Sequence, residues 1–178
     1  MEIVSDIRLA DETDAQQVWN LADRANAFSL QKSGEVQWTP DFGLLNIYQA
    51  LGAGKFHVVE ADRQIVAGVV IEKEDPDIWG AEGLDGRAFY VHKLMADPES
   101  NGIGLGRHLI RFAADEAIRD GRELLRLDCR ASQIDLRRYY ERLGFEHKRY
   151  LEPSSAKYGR AALYQIGARQ YLESYTSY

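Results

Sequence analysis

The spacing of apolar and polar positions changes along the 178-residue chain, and each change predicts an element. Ile3 to Leu9 alternates loosely, as a strand does. Thr13, with Gln16 three residues on, has the pattern of a capping box. Val18, Leu21, Ala22 and Ala25 then follow at helical spacing and give that helix one apolar face. Residues 26–38 read as a loop ending in Gln37-Trp38. Thr39-Pro40 predicts a second helix start, with Leu44, Ile47, Tyr48 and Leu51 as its buried face and Gly52 as its stop. Phe56 to Glu60 and Ile65 to Glu72 are rich in strand formers, and the short polar break between them predicts an antiparallel hairpin.

Residues 73–87 are acidic, hold Pro76, Gly80, Gly83 and Gly86, and read as a loop that exposes Trp79. Ala88 to Ala96 is the central strand. A glycine loop leads into a helix to about Asp120, with Leu109, Ile110, Ala113 and Ala117 inward and Gly121 as the stop. Leu124 to Cys129 is a buried strand. Ser132 and Asp135 open a short helix with Leu136, Tyr139, Tyr140 and Leu143 on its apolar face, and Gly144 ends it. Phe145 to Leu151 and Ala161 to Ile166 are the last strands; the tail Arg169 to Tyr178 has no clear period. The order is β-α-α-β-β-β-α-β-α-β-β. Antiparallel strands precede the glycine loop and one right-handed β-α-β crossover follows it. This is an α/β (α+β) chain with a mixed, mostly antiparallel central sheet, not a doubly wound one.

Composition narrows the reading. The length fits a single domain over residues 1–178. No run of about eighteen apolar residues predicts a membrane span. Met1 to Ala10 has no signal-peptide character. Cys129 is the only cysteine, so no intrachain disulfide forms and a cytoplasmic location is expected. The net charge of −6 is uneven: residues 1–89 carry 7 basic and 16 acidic side chains, the remainder 15 and 12. The acidic half suits a cationic partner such as an amine, and the overall sign argues against nucleic acid.

The chemistry concentrates in Val91 to Gly106. There a strand ends at Asp97-Pro98, and glycines at 102, 104 and 106 lead into a helix. Glycines let a backbone approach a ligand closely, and a helix N-terminus offers unpaired N–H donors to an anion. The stretch therefore reads as a pyrophosphate cradle. A dinucleotide fold wants Gly-x-Gly-x-x-Gly directly after its strand, with Asp128 in the place of the later acid. Here the glycines alternate behind a Pro-containing loop and a hairpin precedes them. A P-loop needs Gly-Lys-Ser/Thr, which is absent.

These motifs in this order resemble the GNAT superfamily of acyl-CoA-dependent N-acyltransferases. The match rests on Leu94-Met95-Ala96-Asp97-Pro98 running into Asn101-Gly102-Ile103-Gly104-Leu105-Gly106, on Leu125 to Asp128, and on Tyr139-Tyr140-Glu141-Arg142-Leu143-Gly144-Phe145. Asn101 stands where the family has Gln or Arg. The resemblance is specific over about residues 90–146 and implies acetyl-CoA as acyl donor. By position, the backbone of Leu94, Met95 and Ala96 pairs with the pantetheine arm where the strand splays. Asn101, Gly102, Ile103, Gly104, Leu105, Gly106 and Arg107 wrap the pyrophosphate. Gln133 replaces a cofactor-touching Asn, and Tyr140 holds the position of the general acid.

Direct acyl transfer to an amine needs a base, oxyanion donors and a proton or donor for the departing thiolate. The N–H of Met95 or Ala96 suits the oxyanion and the neutral Tyr140 hydroxyl suits the thiolate. His92 is the candidate base, with a hydrogen-bonded strand histidine as the alternative; Glu72 and Glu74 are further candidates. Strand alternation places Tyr90 and His92 on the side of Leu94. His57, His108 and His147 lack ligand spacing, so no metal is expected. Cys129 reads as a small buried thiol. Trp38, Phe42, Trp79 and Tyr90 are the candidate acceptor-binding residues. The expected activity is acetyl transfer to a small-molecule primary amine in a ternary complex. A peptide amine as acceptor, a non-catalytic acyl-CoA-binding module and an interaction domain using the Tyr-rich tail are the alternatives. Dimers are common among proteins of this type, so a homodimer is also admitted.

Overall fold

The computed structural model describes residues 7–38, 44–100, 102–152 and 159–175. The strands are β1 (Ile7–Leu9), β2 (Phe56–Ala61), β3 (Gln64–Glu72), β4 (Ala88–Ala96), β5 (Leu124–Arg130), β6 (Glu146–Leu151) and β7 (Ala161–Gly167). The helices are α1 (Ala15–Ser33), α2 (Leu44–Gly52), α3 (Pro76–Trp79), α4 (Leu105–Arg119), α5 (Ile134–Arg142) and α6 (Ala168–Tyr175). The seven strands form one mixed sheet flanked by helices, in the order β1-β2-β3-β4-β5-β7-β6. β4 and β5 run parallel from Ala88↔Leu124 to Tyr90↔Arg126, and the hairpin and C-terminal pairs run antiparallel. By packing, the chain divides into two compact units, Met1–Ile71 with Lys93–Leu109 and Glu72–His92 with Ile110–Tyr178.

In the first unit, helix capping falls earlier than Thr13. The Asp11 carboxylate accepts the Thr13 N–H at 2.8 Å, and Asp14 accepts the Asp11 N–H at 3.0 Å. A two-acid box therefore starts a 3-10 turn that feeds α1. The predicted face of α1 is inward, with Val18 and Leu21 fully buried. Residues 26–33, expected as loop, continue the helix to Gly34, whose φ of +76° ends it. Their polarity marks a solvent face, since Phe28 and Leu30 are exposed. Asn26 ties down the returning chain: its Oδ1 accepts the N–H groups of Gln37 and Trp38, and its Nδ2 donates to the Trp38 carbonyl. Trp38 is thereby packed into a core with Leu21, Ile47 and Phe56.

Ile47 and Leu51 of α2 are buried as predicted, but Tyr48 is exposed. The helix start at Thr39-Pro40 lies outside the described residues. The β2–β3 hairpin turns on Asp62 and Arg63 alone, both at positive φ, as a type I′ turn requires. Gly68 lets Phe56 lie against β3, since a Cβ there would sit 2.7 Å from the Phe56 ring.

In the second unit, β5 pairs with β7 along its whole length, Leu124↔Gly167 to Arg130↔Ala161. Ile110, Ala113 and Ala117 of α4 are fully buried, as their spacing predicted. The stretch 73–87, expected as loop, holds two short helical turns. Asp75 caps α3, its Oδ1 accepting the Ile78 N–H at 3.3 Å, and Pro76 occupies the first helical position. A 3-10 turn, Gly80–Leu84, follows. In the tail, α6 buries Ala168 and Tyr171. The predicted Ser132 cap gives way to Gln133, whose side chain makes no capping bond.

Candidate active site

β4 carries most of the predicted chemistry, but its alternation is interrupted. Lys93 has φ of +50°, a left-handed conformation inside a strand. Such a residue costs about 1–3 kcal/mol and changes which face the following side chains take. Period-two counting from Tyr90 and His92 to Leu94 therefore does not carry across Lys93. Met95 is buried in the first unit's core, while Leu94 and Ala96 are partly exposed.

The loop beyond β4 is anchored through Asp97. Its N–H donates to the Val66 carbonyl at 2.8 Å, and Arg24 donates to its carboxylate at 2.6 Å. The Asp97 carbonyl accepts the Ser100 N–H, and its Oδ1 accepts the Glu99 N–H. Asn101 lies outside the described residues. Gly102 and Gly104 adopt φ of +89° and +80°, and a Cβ at either would meet nothing within 4 Å. Glycine is therefore required there by backbone conformation, not by crowding. The first rung of α4 runs from the His108 N–H to the Gly104 carbonyl at 3.0 Å. The N–H groups of Leu105, Gly106 and Arg107 precede that rung, as an anion cradle requires. Ile103 is exposed beside them.

In the second unit, His92 sits among three carboxylates. Its Nε2 lies 3.3 Å from Asp75 and 3.6 Å from Glu72, and its Nδ1 lies 3.9 Å from Asp128. Burial works against the charged ring, but Asp75, then Asp128 and Glu72, outweigh it and raise the His92 pKa above its ordinary value. Asp75, His92 and Asp128 each bring one donor atom to within 4.8 Å of the others, a spacing that a cation could bridge. With Glu72 on the same ring nitrogen as Asp75, the three carboxylates favour the protonated form of the ring.

Tyr140 of α5 is buried, with its ring 5.9 Å from Phe145 and 6.2 Å from Tyr164. Burial, followed by the proximity of Cys129, Tyr139 and Asp128, raises its pKa well above 10. Asp128 thus acts on both His92 and Tyr140. Burial, then Asp128, pushes the Cys129 thiol up to about 12, so it is an inert core group. Gln133 is buried, and its Nε2 has no hydrogen-bond partner among the described residues.

The aromatic candidates fare differently. Trp79, expected exposed, is 1 % exposed, because α3 turns its indole inward. Arg126 lies 5.0 Å from its ring centre and Arg149 5.3 Å. Tyr90 is equally buried; its hydroxyl donates to the Glu82 carbonyl at 2.8 Å and accepts from Arg126 at 2.9 Å. Trp38 is a core residue, and Phe42 lies outside the described residues. Trp38, Trp79 and Tyr90 thus pack as structural aromatics where acceptor-facing side chains were expected. The sequence reading missed Asp75 as a partner of His92. Its signal was Asp-Pro at a helix start, hidden in an apparently structureless acidic stretch.

No helix among the described residues is long and apolar enough to cross a membrane. No curated protein sequence matches the chain. A GNAT family acetyltransferase from Listeria monocytogenes is 29 % identical with a TM-score of 0.72, over 92 % of this chain and 94 % of that one. An aminoglycoside acetyltransferase in complex with coenzyme A and kanamycin is 19 % identical with a TM-score of 0.70, over 96 % and 98 %. A Salmonella typhimurium protein solved with its cofactor acetyl-CoA is 18 % identical with a TM-score of 0.66, over 92 % and 94 %. The acetyltransferase (GNAT) family model matches residues 16–145. The chain belongs to the GNAT family of acetyltransferases and is a transferase acting on acyl groups.

Proposed function

We propose that this protein transfers an acetyl group from acetyl-CoA to the primary amine of a small molecule, by direct attack in a ternary complex. The observation that carries this reading is the His92 imidazole among Glu72, Asp75 and Asp128, on the strand that continues into Leu94, Met95 and Ala96. Carboxylates attract an acceptor that arrives as an ammonium ion. The ammonium must lose a proton before its nitrogen can attack, and neutral His92 is the base that takes it. As the C–N bond forms, the N–H of Met95 or Ala96 stabilises the oxyanion. As the C–S bond breaks, Tyr140 protonates the thiolate, and the second proton that the nitrogen loses as the amide forms restores its hydroxyl; its raised pKa keeps that hydroxyl protonated at neutral pH. The Gly102–Arg107 backbone, with Asn101, holds the pyrophosphate, and Gln133 offers its buried amide to the cofactor. Similar folds occur in proteins whose described amines are agmatine and kanamycin, which is consistent with a small acceptor.

Calorimetric titration with acetyl-CoA, free CoA and NAD tests the donor. Micromolar binding of the CoA forms and none of NAD is expected; no CoA binding rejects the reading. Thiol release across a panel of primary amines tests the transfer, and binding without release for every amine makes the chain a non-catalytic acyl-CoA module. Gly104→Ala is expected to weaken acetyl-CoA binding about tenfold. A left-handed non-glycine residue costs about 1–2 kcal/mol, and relaxation of that strain moves the cradle N–H groups. Unchanged affinity in the same titration would take Gly104 out of the cradle.

A further inference from the structure

Three carboxylates face His92, each from a different element: Glu72 at the end of β3, Asp75 at the start of α3 and Asp128 on β5. They are not equivalent. Asp75 is nearest at 3.3 Å, and its side chain is 8 % exposed, against 31 % for Glu72 and 20 % for Asp128. A short separation with little water strengthens a charge interaction and removes its screening.

Asp75 is also fixed in place. Its N–H donates to the Gly83 carbonyl and its own carbonyl accepts the Trp79 N–H, each at 3.0 Å. Its Oδ1 accepts the Ile78 N–H. Gly83 closes directly onto it: a Cβ at that position would sit 2.2 Å from the Asp75 carbonyl oxygen and 2.6 Å from the Pro76 nitrogen. The Asp75 Oδ2 is buried without a hydrogen bond among the described residues. A buried carboxylate oxygen without a donor is costly, so Asp75 favours the protonated form of the imidazole opposite it.

We propose that Asp75 is a positioning residue, clamped by α3 and Gly83, that sets the charge of His92 and hence the pH at which the base works. The inference rests on His92 serving as the base. The acidic segment 73–87 then has a specific use. It folds over Trp79 so that one carboxylate, out of the many in that segment, is aimed at the ring.

The test follows the His92 ring protons by NMR against pH in the full-length protein, in parallel with kcat against pH. Asp75→Asn is the first variant, because Asn caps a helix about as well as Asp and keeps the Oδ1 contact. The His92 titration is expected to move down by about one to three pH units, the range an opposite charge at this distance commands. The rising limb of kcat should move with it, with KM for acetyl-CoA unchanged. Gly83→Ala should move the titration in the same direction while leaving every charge in place. Asp128→Asn should move it less. A His92 titration unmoved by Asp75→Asn, or moved as far by Asp128→Asn, overturns the proposal. A titration that moves while the kcat profile stays put upholds Asp75 as the controlling charge and removes His92 as the base.

Discussion

Tyr140→Phe is expected to lower kcat by about 10²- to 10³-fold while leaving acetyl-CoA affinity unchanged, since positioned proton transfer contributes about that much. The substitution removes one oxygen and keeps the ring. Tyr140 is 4 % exposed, packed against Tyr139, Phe145 and Tyr164, so phenylalanine fills the same space and the fold survives. The hydroxyl suits an acid because it stays protonated: burial first, then Cys129, Tyr139 and Asp128, oppose the phenolate. The departing CoA thiolate is the group that needs the proton, so the loss should fall on kcat and not on cofactor binding. Steady-state thiol release together with calorimetry separates the two. Turnover within a factor of about two of wild type would end the acid assignment, because an enzyme depending on this proton could not lose it so cheaply.

Arg126→Met is expected to destabilise the protein by about 3–5 kcal/mol, the range for removing one member of a buried ion pair. Arg126 is 2 % exposed on β5. Its guanidinium reaches the Glu82 carbonyl at 2.8 Å, the Tyr90 hydroxyl at 2.9 Å, Asp85 at 2.9 Å and Gln165 at 2.9 Å, with the Trp79 ring 5.0 Å away. Methionine fills much of the volume but takes a donor from Gln165 and the Tyr90 hydroxyl and the guanidinium partner from Asp85. Urea unfolding at pH 7 measures the loss; a change under about 1 kcal/mol would show that the arginine is neutral in the balance. The effect should also depend on pH. Burial alone would raise the Asp85 pKa, but the Arg87 N–H and Arg126 pull it below its ordinary value. A depressed carboxylate pKa stabilises the fold above the unfolded value and loses that contribution as pH falls through the folded one. The gap between wild type and Arg126→Met should therefore narrow in acid.

Much of the fold was legible because it is written in local periods. The buried faces of α1 and α4, the β2–β3 hairpin and the order of strands along the chain each follow from spacings of two or of three and four residues. The errors have local physical causes. Residues 26–33 were polar enough to resemble loop, yet nothing stops α1 before Gly34. The segment 73–87 carries four turn formers, but Asp75-Pro76 is a better helix start than the glycines are a break. Capping at Asp11 instead of Thr13 is a choice between two acceptors two residues apart, and the sequence offers both.

The sequence by itself determined the class of the fold, and it pointed to the glycine loop before α4 as the candidate cradle, because a helix N-terminus offers unpaired N–H donors to an anion. It also singled out Tyr140 by motif and His92 by its place on the central strand. Tertiary structure alone decided the surroundings of those two side chains. Glu72, Asp75 and Asp128 lie 20, 17 and 36 positions from His92, and no period relates them to it; they converge because the end of β3, the start of α3 and β5 meet there. Trp79 looked like an exposed loop aromatic until α3 turned it under Arg126. Lys93 breaks the alternation of β4 through a backbone angle that no residue type announces. Pattern records what each segment buries, whereas the charge state of a buried ring depends on which distant segments are packed against it.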